Sequence, residues 1–481
     1  MRTLIRNVAA ATVDPELGDL ARTDILIEDG VIREIRPDIA VDDTSFDGEI
    51  VDGRDRIAMP GMVDTHRHTW QTALRGILAD GNIPDYLRGI RLHMAPLYRA
   101  EDMYAGNYVG ALDALNSGIT TIVDYCHNIL DPDGAHAAVT GLRDAGIRAL
   151  YAHGLTPITT NTWSQSRGGS AAGADPAALA TRAVLARRIR EEYFSSDDQL
   201  LRFGIAPQEL AIAPVADVAA EFRLARELGA RITFHANQVM VRQLFQDVEV
   251  LHAHGLLADD LLLVHCTFNT PHEWNLLDDS GVTVSVCAET EMQMGMGYPA
   301  IAEATAHTAG PSLGIDCVSG NGGDMVSHSR LVLQATRYRA DEPEYAAMRA
   351  PQTMAWTTKD ALRWATLNGA RAAGVDHLVG SLTVGKRADI VLVDMSGISQ
   401  VGWNRADPTG AVVSQAHAGC IDTVFVDGRV VKRGGVLTHV DLPAATATLE
   451  RSHEYLYDRM GGAGEFIPQP PIDIPLYRER A

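Results

Sequence analysis

Lysine is almost absent from this chain of 481 residues. It occurs only at Lys359, Lys386 and Lys432, so no lysine precedes residue 359. Acidic residues outnumber basic ones, and the formal net charge is −21. Nucleic acids and anionic membrane surfaces are bound by basic patches. The charge balance therefore argues against both of them as partners.

Cysteine pairs and long apolar segments are also lacking. The chain has five cysteines, an odd number, and no CxxC pair. This pattern argues against a disulfide framework and favours reduced thiols. No run of about 18 apolar residues is present, and the first residues lack the apolar core of a signal peptide. We therefore expect a cytoplasmic protein without a membrane span.

Short strand patterns occupy both ends of the chain. Asp29-Gly30 separates two apolar segments near the start, and Asp427-Gly428 separates two near the end. Asp-Gly between such segments predicts a β-hairpin. We therefore expect one small β-sandwich domain built from both termini, residues 1–56 and 385–440.

The last part of the chain, residues 441–481, has a different composition. A helical pattern over 443–460 precedes a proline-rich tail that begins at Phe466. Such a tail cannot form a helix and is expected to lie extended across a neighbouring surface or subunit. This feature leaves a homodimer or a larger homo-oligomer open.

The central part of the chain alternates apolar runs with Ala-, Leu- and Arg-rich helical segments. Near-continuous apolar runs are typical of parallel strands that are buried on both faces. Eight β/α units between residues 57 and 384 predict an α/β fold, a (β/α)8 TIM-like barrel. The eight runs are Ile57–Val63, Ile119–Tyr125, Arg148–His153, Leu201–Ala206, Arg231–Ala236, Leu261–Cys266, Val282–Cys287 and Pro311–Asp316.

Polar side chains follow most of these runs, at the barrel face where catalytic residues lie. His66 and His68 end the first run, and residues i and i+2 of a strand point to the same side. Three imidazoles and one carboxylate would leave open positions for water and substrate, as in a catalytic metal site. The polar residues are His66, His68, Asp124, His127, His153, Gln208, His235, His265 and Asp316.

These motifs resemble the amidohydrolase superfamily, in the branch of cytosine and guanine deaminases and triazine hydrolases. The resemblance rests on Pro60-Gly-Met-Val-Asp-Thr-His-Arg-His68, on the strand-end residues, and on the blocks 365–374 and 380–394. It implies a metal-dependent hydrolase. It also implies that His66, His68, His235 and Asp316 are the metal ligands, and that Asp316 and His265 are catalytic.

The scarcity of lysine limits the number of metals. Several branches of the superfamily hold two metals bridged by a carbamylated lysine on strand 4, and no lysine is available there. We therefore expect one divalent metal ion, zinc in the first place, with iron, cobalt or manganese as alternatives. The resemblance implies that a metal-activated hydroxide attacks the substrate, with Asp316 accepting a proton and His265 contacting the attacking oxygen.

One residue departs from the pattern of the branch. Its deaminases carry glutamate three residues after the strand-5 histidine, whereas this chain has Gln238. An amide cannot act as a general acid at neutral pH, although it can hydrogen-bond a substrate. Either another group protonates the leaving amine, with His127 and His153 as candidates, or the substrate needs no ring protonation.

The expected activity is hydrolysis of a C–N bond in a small cyclic or heteroaromatic molecule. An amide, urea, carbamate or lactam centre fits Gln238, while ring deamination of a purine, pyrimidine or pterin is the alternative. A barrel without catalysis, serving as a scaffold or binding protein, is the alternative of another class. The residues expected to bind substrate are Gln238, Glu291, His127, His153, Trp70 and Gln71.

Overall fold

The computed structural model describes residues 2–41, 46–156, 176–196, 198–238, 246–461 and 466. The described strands form a mixed sheet of nine and a second sheet of eight. In chain order the strands are β1 Arg2–Ala11, β2 Asp19–Glu28, β3 Val31–Arg36, β4 Glu49–Asp52, β5 Arg56–Pro60, β6 Met62–Arg67, β7 Ile119–Cys126, β8 Arg148–Gly154, β9 Leu201–Ala206, β10 Arg231–Ala236, β11 Leu261–His265, β12 Thr283–Val286, β13 Pro311–Leu313, β14 Ile390–Asp394, β15 Ile421–Val426, β16 Arg429–Arg433 and β17 Val436–Leu437.

Helices follow most strands of the eight-stranded sheet, as a β/α alternation requires. The α-helices are Ile83–Asp85, Ala100–Asn116, Pro132–Ala145, Pro176–Tyr193, Val215–Glu227, Asp247–Ala253, Pro271–Leu276, Ala288–Gln293, Ile301–His307, Met325–Ala340, Glu342–Ala346, Thr358–Arg363, Gly369–Ala372, Pro408–Gln415 and Leu442–Met460. Tyr86–Met94 and Trp364–Asn368 are π-helical, and Thr69–Leu74, Ala95–Leu97 and Ala418–Cys420 are 3₁₀ helices. None of the described helices has the length and apolarity to cross a membrane.

The mixed sheet contains strands from both termini, as expected. Its order is β17-β16-β15-β14-β5-β1-β2-β3, with β4 paired to β1. The predicted hairpins are β2–β3 and β15–β16, and their side chains share one apolar core that includes Ile25, Ile390 and Phe425, each fully buried. The two turns lie close together: a Cβ on Gly30 would come within 2.7 Å of the Asp427 carbonyl oxygen. Both turns therefore need glycine.

The first predicted run, Ile57–Val63, is not one strand but two. Its first half is β5, which pairs antiparallel with β14 in the mixed sheet. Its second half begins β6, the first strand of the barrel sheet. The break lies at Gly61, where a Cβ would collide with the Thr120 hydroxyl. An apolar run alone could not reveal that its two halves join different sheets.

The eight-stranded sheet runs β6 to β13 in chain order, and its printed pairings are parallel. The sheet closes into a barrel through contacts between the end of its first strand, β6, and Asp316, which follows its last strand, β13. Arg67 and Asp316 form a parallel bridge, the His68 amide donates to the Asp316 carbonyl at 2.9 Å, and the Asp316 amide donates to the His66 carbonyl at 2.7 Å. The (β/α)8 barrel is confirmed, and closure places Asp316 between the two histidines of the first strand.

The chain also divides into two compact units. One consists of Met1–Asp64, Leu112–Ile122 and Gly323–Val440, and it contains the mixed sheet. The other consists of Thr65–Ala111, Val123–Gly322 and Asp441–Ala481, and it contains every candidate site residue. The helix expected over 443–460 is Leu442–Met460. The Gly- and Ser-rich segment 160–175 and most of the proline-rich tail lie outside the described residues.

Candidate metal centre and active site

Four side chains converge at the carboxyl ends of β6, β10 and β13. The Nε2 atoms of His66 and His235 are 3.2 Å apart. The Oδ1 atom of Asp316 lies 3.5 Å from His66 Nε2 and 3.3 Å from His68 Nε2. All four residues are buried. His66 therefore belongs to two groups of possible ligand atoms, each within 4.8 Å of one another: one with His68 and Asp316, and one with His235 and His265.

The outward-facing ring nitrogens are held by hydrogen bonds. His68 Nδ1 donates to the Tyr125 carbonyl at 3.0 Å, and His235 Nδ1 donates to Glu209 Oε1 at 2.9 Å. The Tyr125 ring stacks on His235 with centroids 4.3 Å apart. With the proton on Nδ1, each Nε2 presents a lone pair to the centre, as metal-ligating histidines do.

The protonation states also suit a cation. Burial lowers the pKa of His66 to about 4, and burial together with the neighbouring His66 lowers the pKa of His68 well below its ordinary value. Although burial opposes ionisation of Asp316, the surrounding imidazoles hold its pKa below the usual range. Metal ligation requires neutral imidazoles and an ionised carboxylate. The residues present therefore fit one divalent metal ion.

His265 stands beside this centre with a strained backbone. Its φ is +74°, and its Nε2 lies 3.9 Å from Asp316 Oδ2. Its Nδ1 is hydrogen-bonded to Glu291 Oε1 at 3.2 Å. Although burial lowers the pKa of His265, the hydrogen bond with Glu291 and the charge of Asp316 raise it overall. Unfavourable φ angles at non-glycine residues often occur at functional sites.

Glu291 lies behind His265 and does not line the cavity. The residue is fully buried, and its Oε1 also accepts the Cys287 amide at 2.8 Å. This position does not support the prediction that Glu291 binds substrate. Glu291 lies on the helix Ala288–Gln293, and the contact of its carboxylate with His265 Nδ1 suits it to orient that ring.

A hydrogen-bonded chain forms one side of the site. Trp70 Nε1 donates to His127 Nδ1 at 3.1 Å, and Gln71 Nε2 donates to Tyr86 Oη at 2.9 Å. The His127 ring stacks on His68, with centroids 4.1 Å apart. His127 lines the cavity. Trp70 and Gln71 are fully buried and do not line it, so neither is placed to contact a substrate directly.

His153 and Gln208 do not reach the cavity either. His153 pairs with Tyr151 Oη at 3.3 Å, and burial lowers the pKa of its imidazole to about 4. It is neutral near pH 7, which disfavours it as the missing proton donor. Gln208 donates to the buried carboxyl group of Glu221 from its backbone nitrogen and from its side-chain Nε2, each at 2.7 Å.

The cavity above the centre combines a polar and an apolar wall. Gln238 lies on it, as expected, and is partly exposed. Sequence reasoning missed Glu209, although it directly follows Gln208 at the end of β9, and missed Arg91 and Tyr86, which follow no strand. The cavity is lined by His68, Ile83, Tyr86, Leu87, Arg91, His127, Glu209, Ile212, His235, Gln238, His265, Thr290, Met294, Met296, Asp316 and Cys317.

A closed parallel barrel with three imidazoles and a carboxylate at its carboxyl end is the architecture of a metal-dependent barrel hydrolase. The model of the Amidohydrolase family matches residues 57–431, and the chain belongs to that family. It is an enzyme that hydrolyses carbon–nitrogen bonds other than peptide bonds, and its buried histidine and aspartate cluster is suited to a divalent metal ion.

The chain is similar over nearly its whole length to curated deaminases. It is 25% identical over 466 residues to a 5'-deoxyadenosine deaminase of Methanosarcina barkeri, covering 95% of this chain and 99% of the relative. It is 25% identical over 400 residues to a 5-methylthioadenosine/S-adenosylhomocysteine deaminase of Moorella thermoacetica, covering 82% and 85%.

Two solved structures share the fold. An atrazine chlorohydrolase of Arthrobacter aurescens complexed with zinc superposes with a TM-score of 0.80 at 23% identity, covering 94% of this chain and 100% of the other. An adenosine deaminase of Xanthomonas campestris with bound zinc gives a TM-score of 0.77 at 22% identity, covering 94% and 98%.

Proposed function

We propose that this chain is a mononuclear zinc hydrolase that displaces an amine or a similar leaving group from a small cyclic or heteroaromatic substrate. The observation that carries the proposal is the buried cluster of histidines around Asp316, in which the outer nitrogens of His68 and His235 are held by hydrogen bonds. Three imidazoles and a carboxylate suit zinc. The two superposed structures that hold zinc support the same choice.

Each residue has a distinct part in the proposed reaction. His66, His68, His235 and Asp316 would hold the metal, which when bound supplies a water molecule of lowered pKa as the nucleophile. Asp316 accepts the proton of the attacking water. His265, oriented by Glu291, directs its Nε2 towards Asp316 and donates to the developing oxyanion.

Gln238 determines which leaving groups are accessible. Its amide lies on the cavity wall, where it can hydrogen-bond a ring nitrogen or an oxygen but cannot deliver a proton. The first candidate is therefore an amide, urea, carbamate or lactam centre, which expels its amine without protonation of an aromatic ring.

Deamination of a purine nucleoside is the second candidate. The names of the curated relatives favour it, because they deaminate adenosine-type nucleosides. In that case the proton for the leaving amine comes from another cavity residue, for which His127 is placed on the wall with Nδ1 already occupied by Trp70.

A substrate screen with the variant Gln238→Glu separates the two candidates. Zinc-loaded enzyme is incubated with 5'-deoxyadenosine, adenine, guanine and melamine, and with cyclic ureides and lactams, and released ammonia or opened ring is measured. If the first candidate holds, the wild type opens ureides or lactams, and Gln238→Glu raises purine deamination by about 10-fold or more because a proton donor is restored.

The exposed Gln334→Glu on the helix Met325–Ala340 adds the same charge far from the metal ligands in sequence and serves as the matched control. Rapid ammonia release from purines by the wild type would overturn the first candidate in favour of the second. Absence of stoichiometric metal, together with no turnover after zinc is added, would contradict both and favour a scaffold.

The cellular and quaternary assignments are proposed on other grounds. All five cysteines are free and buried, which suits the cytoplasm. A homodimer is proposed from the proline-rich composition of the tail alone. Light scattering of the full chain and of a chain ending at Gly461 tests whether removal of the tail lowers the molecular mass of the assembly.

A further inference from the structure

Arg91 is a buried cation for which the proposed mechanism has no use. It lies on the π-helix Tyr86–Met94, is 5% exposed, and lines the cavity beside Gln238 and Glu209. Its Nη1 atom is buried without a hydrogen-bond partner. Among the residues that the structure describes, no acceptor and no carboxylate is paired with its guanidinium.

The nearest charged residue of the cavity does not supply a hydrogen-bond partner for Arg91. Glu209 lines the same cavity and the charge of Arg91 helps to lower its pKa, but its Oε1 accepts the His235 ring at 2.9 Å and no direct hydrogen bond joins it to Arg91 among the described residues. Arg67, a second buried arginine of the same unit, does have an acceptor, because its Nη1 donates to the Gly110 carbonyl at 3.2 Å. Arg91 therefore differs from an arginine that serves only the packing of the barrel.

A buried guanidinium without a partner is energetically unfavourable, and arginine recognises planar oxygen anions through two parallel hydrogen bonds. The rest of the cavity wall near the helix is apolar, with Ile83, Leu87 and Met294. A ligand with an apolar or aromatic ring and one anionic oxygen group would satisfy both parts of the wall.

We propose that Arg91 is a substrate-binding residue that pairs with an anionic oxygen group on the substrate, either a carboxylate or an ionised ring oxygen. This inference rests on the proposed function and narrows its substrate class. The enzyme then prefers acidic cyclic substrates to neutral ones of the same size, and a neutral nucleoside leaves the guanidinium unpaired.

Three ligands with one common ring test the proposal by calorimetric titration of zinc-loaded protein near neutral pH. Orotate carries a carboxylate, barbiturate carries an ionised ring oxygen, and uracil is neutral. The wild type should bind at least one of the anions about 10-fold more tightly than uracil, as expected for charge-assisted hydrogen bonds. The anion that is preferred identifies which group Arg91 recognises.

Variants separate the guanidinium from other sources of anion affinity. Arg91→Met should remove the preference for the anion while the zinc content stays the same, and Arg91→Lys should keep part of it. Arg88→Met, a half-buried arginine on the same helix that does not line the cavity, should keep the full preference. An anion bound only by the metal would be held equally by wild type and Arg91→Met, which would overturn the proposal.

Equal affinity of the wild type for uracil and both anions, or binding of none of the three, would also overturn it. Metal content and turnover, measured independently of anion binding, show whether the proposed hydrolase function itself fails. If the wild type binds zinc and turns over a neutral aminopurine but shows no preference for either anion over uracil, the hydrolase assignment stands and the role of Arg91 is wrong.

Discussion

At the scale of single residues, the centre depends on carboxylates that do not ligate. Glu209 and Glu291 each accept a hydrogen bond from the far nitrogen of a site histidine, His235 and His265 respectively. Such partners fix the ring orientation and the tautomer. Glu209 contacts a histidine that we propose as a metal ligand, and Glu291 contacts one that lies beside the proposed ligands, so removal of each carboxylate should have a different consequence.

Glu209→Gln should weaken metal binding. The substitution removes the negative acceptor of the His235 Nδ1 proton, which lowers the basicity of the ligand and loosens its ring, and losses of about 10- to 100-fold in metal affinity follow such changes. Competition for zinc with a chromophoric chelator measures the zinc affinity of the wild type and the variant. Glu191→Gln, an exposed residue of the helix Pro176–Tyr193, is the control, and an unchanged zinc affinity would contradict the assigned role.

Glu291→Gln should leave the zinc content intact and lower turnover. Its carboxylate contacts His265 and the Cys287 amide, so the loss falls on orientation of a catalytic imidazole. We expect kcat/KM to fall by about 10- to 100-fold, the usual effect of removing a hydrogen-bond partner behind a site histidine. The half-buried Glu289→Gln of the same helix is the control. Loss of zinc in parallel with activity would show that Glu291 acts on the ligands instead.

At the scale of elements, the closure of the barrel assembles the centre. The backbone bridge between the ends of β6 and β13 sets Asp316 beside His66 and His68. One layer below, the Thr65 hydroxyl on β6 contacts the Ser285 hydroxyl on β12 at 2.7 Å and the Ser312 hydroxyl on β13 at 2.9 Å. This buried polar layer connects the first strand to the last two.

Thr65→Val should destabilise the fold by about 1–3 kcal/mol, because it removes the buried hydrogen bonds of the Thr65 hydroxyl to Ser285, Ser312 and the Leu313 carbonyl. Urea denaturation of the zinc-loaded protein measures the free energy of unfolding. Thr233→Val on β10 is a matched control, since the buried Thr233 hydroxyl has no hydrogen-bond partner among the described residues. Its substitution should be close to neutral. Equal losses at the two positions would argue against a specific role for the layer.

At the scale of the whole molecule, one buried acid couples folding to pH. Burial raises the pKa of Glu221 from 4.5 to about 8, although hydrogen bonds from Gln208 and the charge of Arg182 oppose the shift. Between these values the folded chain holds a proton that the unfolded chain has released. The free energy of unfolding therefore falls as pH rises through this window.

Glu221→Gln should flatten that dependence. The contribution of Glu221 amounts to at most about 1.4 kcal/mol per pH unit. Urea denaturation of the zinc-saturated protein from mildly acidic to mildly alkaline pH gives the slope for wild type and variant. Glu227→Gln, exposed on the same helix Val215–Glu227, should retain the wild-type slope. A wild-type slope in Glu221→Gln would mean that the residue is ionised throughout.

The sequence by itself predicted the barrel and the hairpins at both ends, whereas the four expected ligand positions came from its resemblance to a known family and stay a prediction. These features depend on local patterns: apolar runs, Asp-Gly turns and the spacing of His66 and His68 along one strand. The absence of lysine before residue 359, read with the family resemblance, also predicts one metal ion, and this stays a prediction. Local patterns of this kind survive any arrangement of the rest of the chain.

Only the tertiary structure decided which polar residues face the cavity. Adjacent residues Gln208 and Glu209 point to different partners, and His265 and Asp316 have φ of +74° and +67°, which non-glycine residues rarely adopt. Side-chain direction beyond a strand end depends on such angles and on distant partners. For the same reason Glu291 lies behind His265, and Arg91, from a helix without a motif, reaches the cavity.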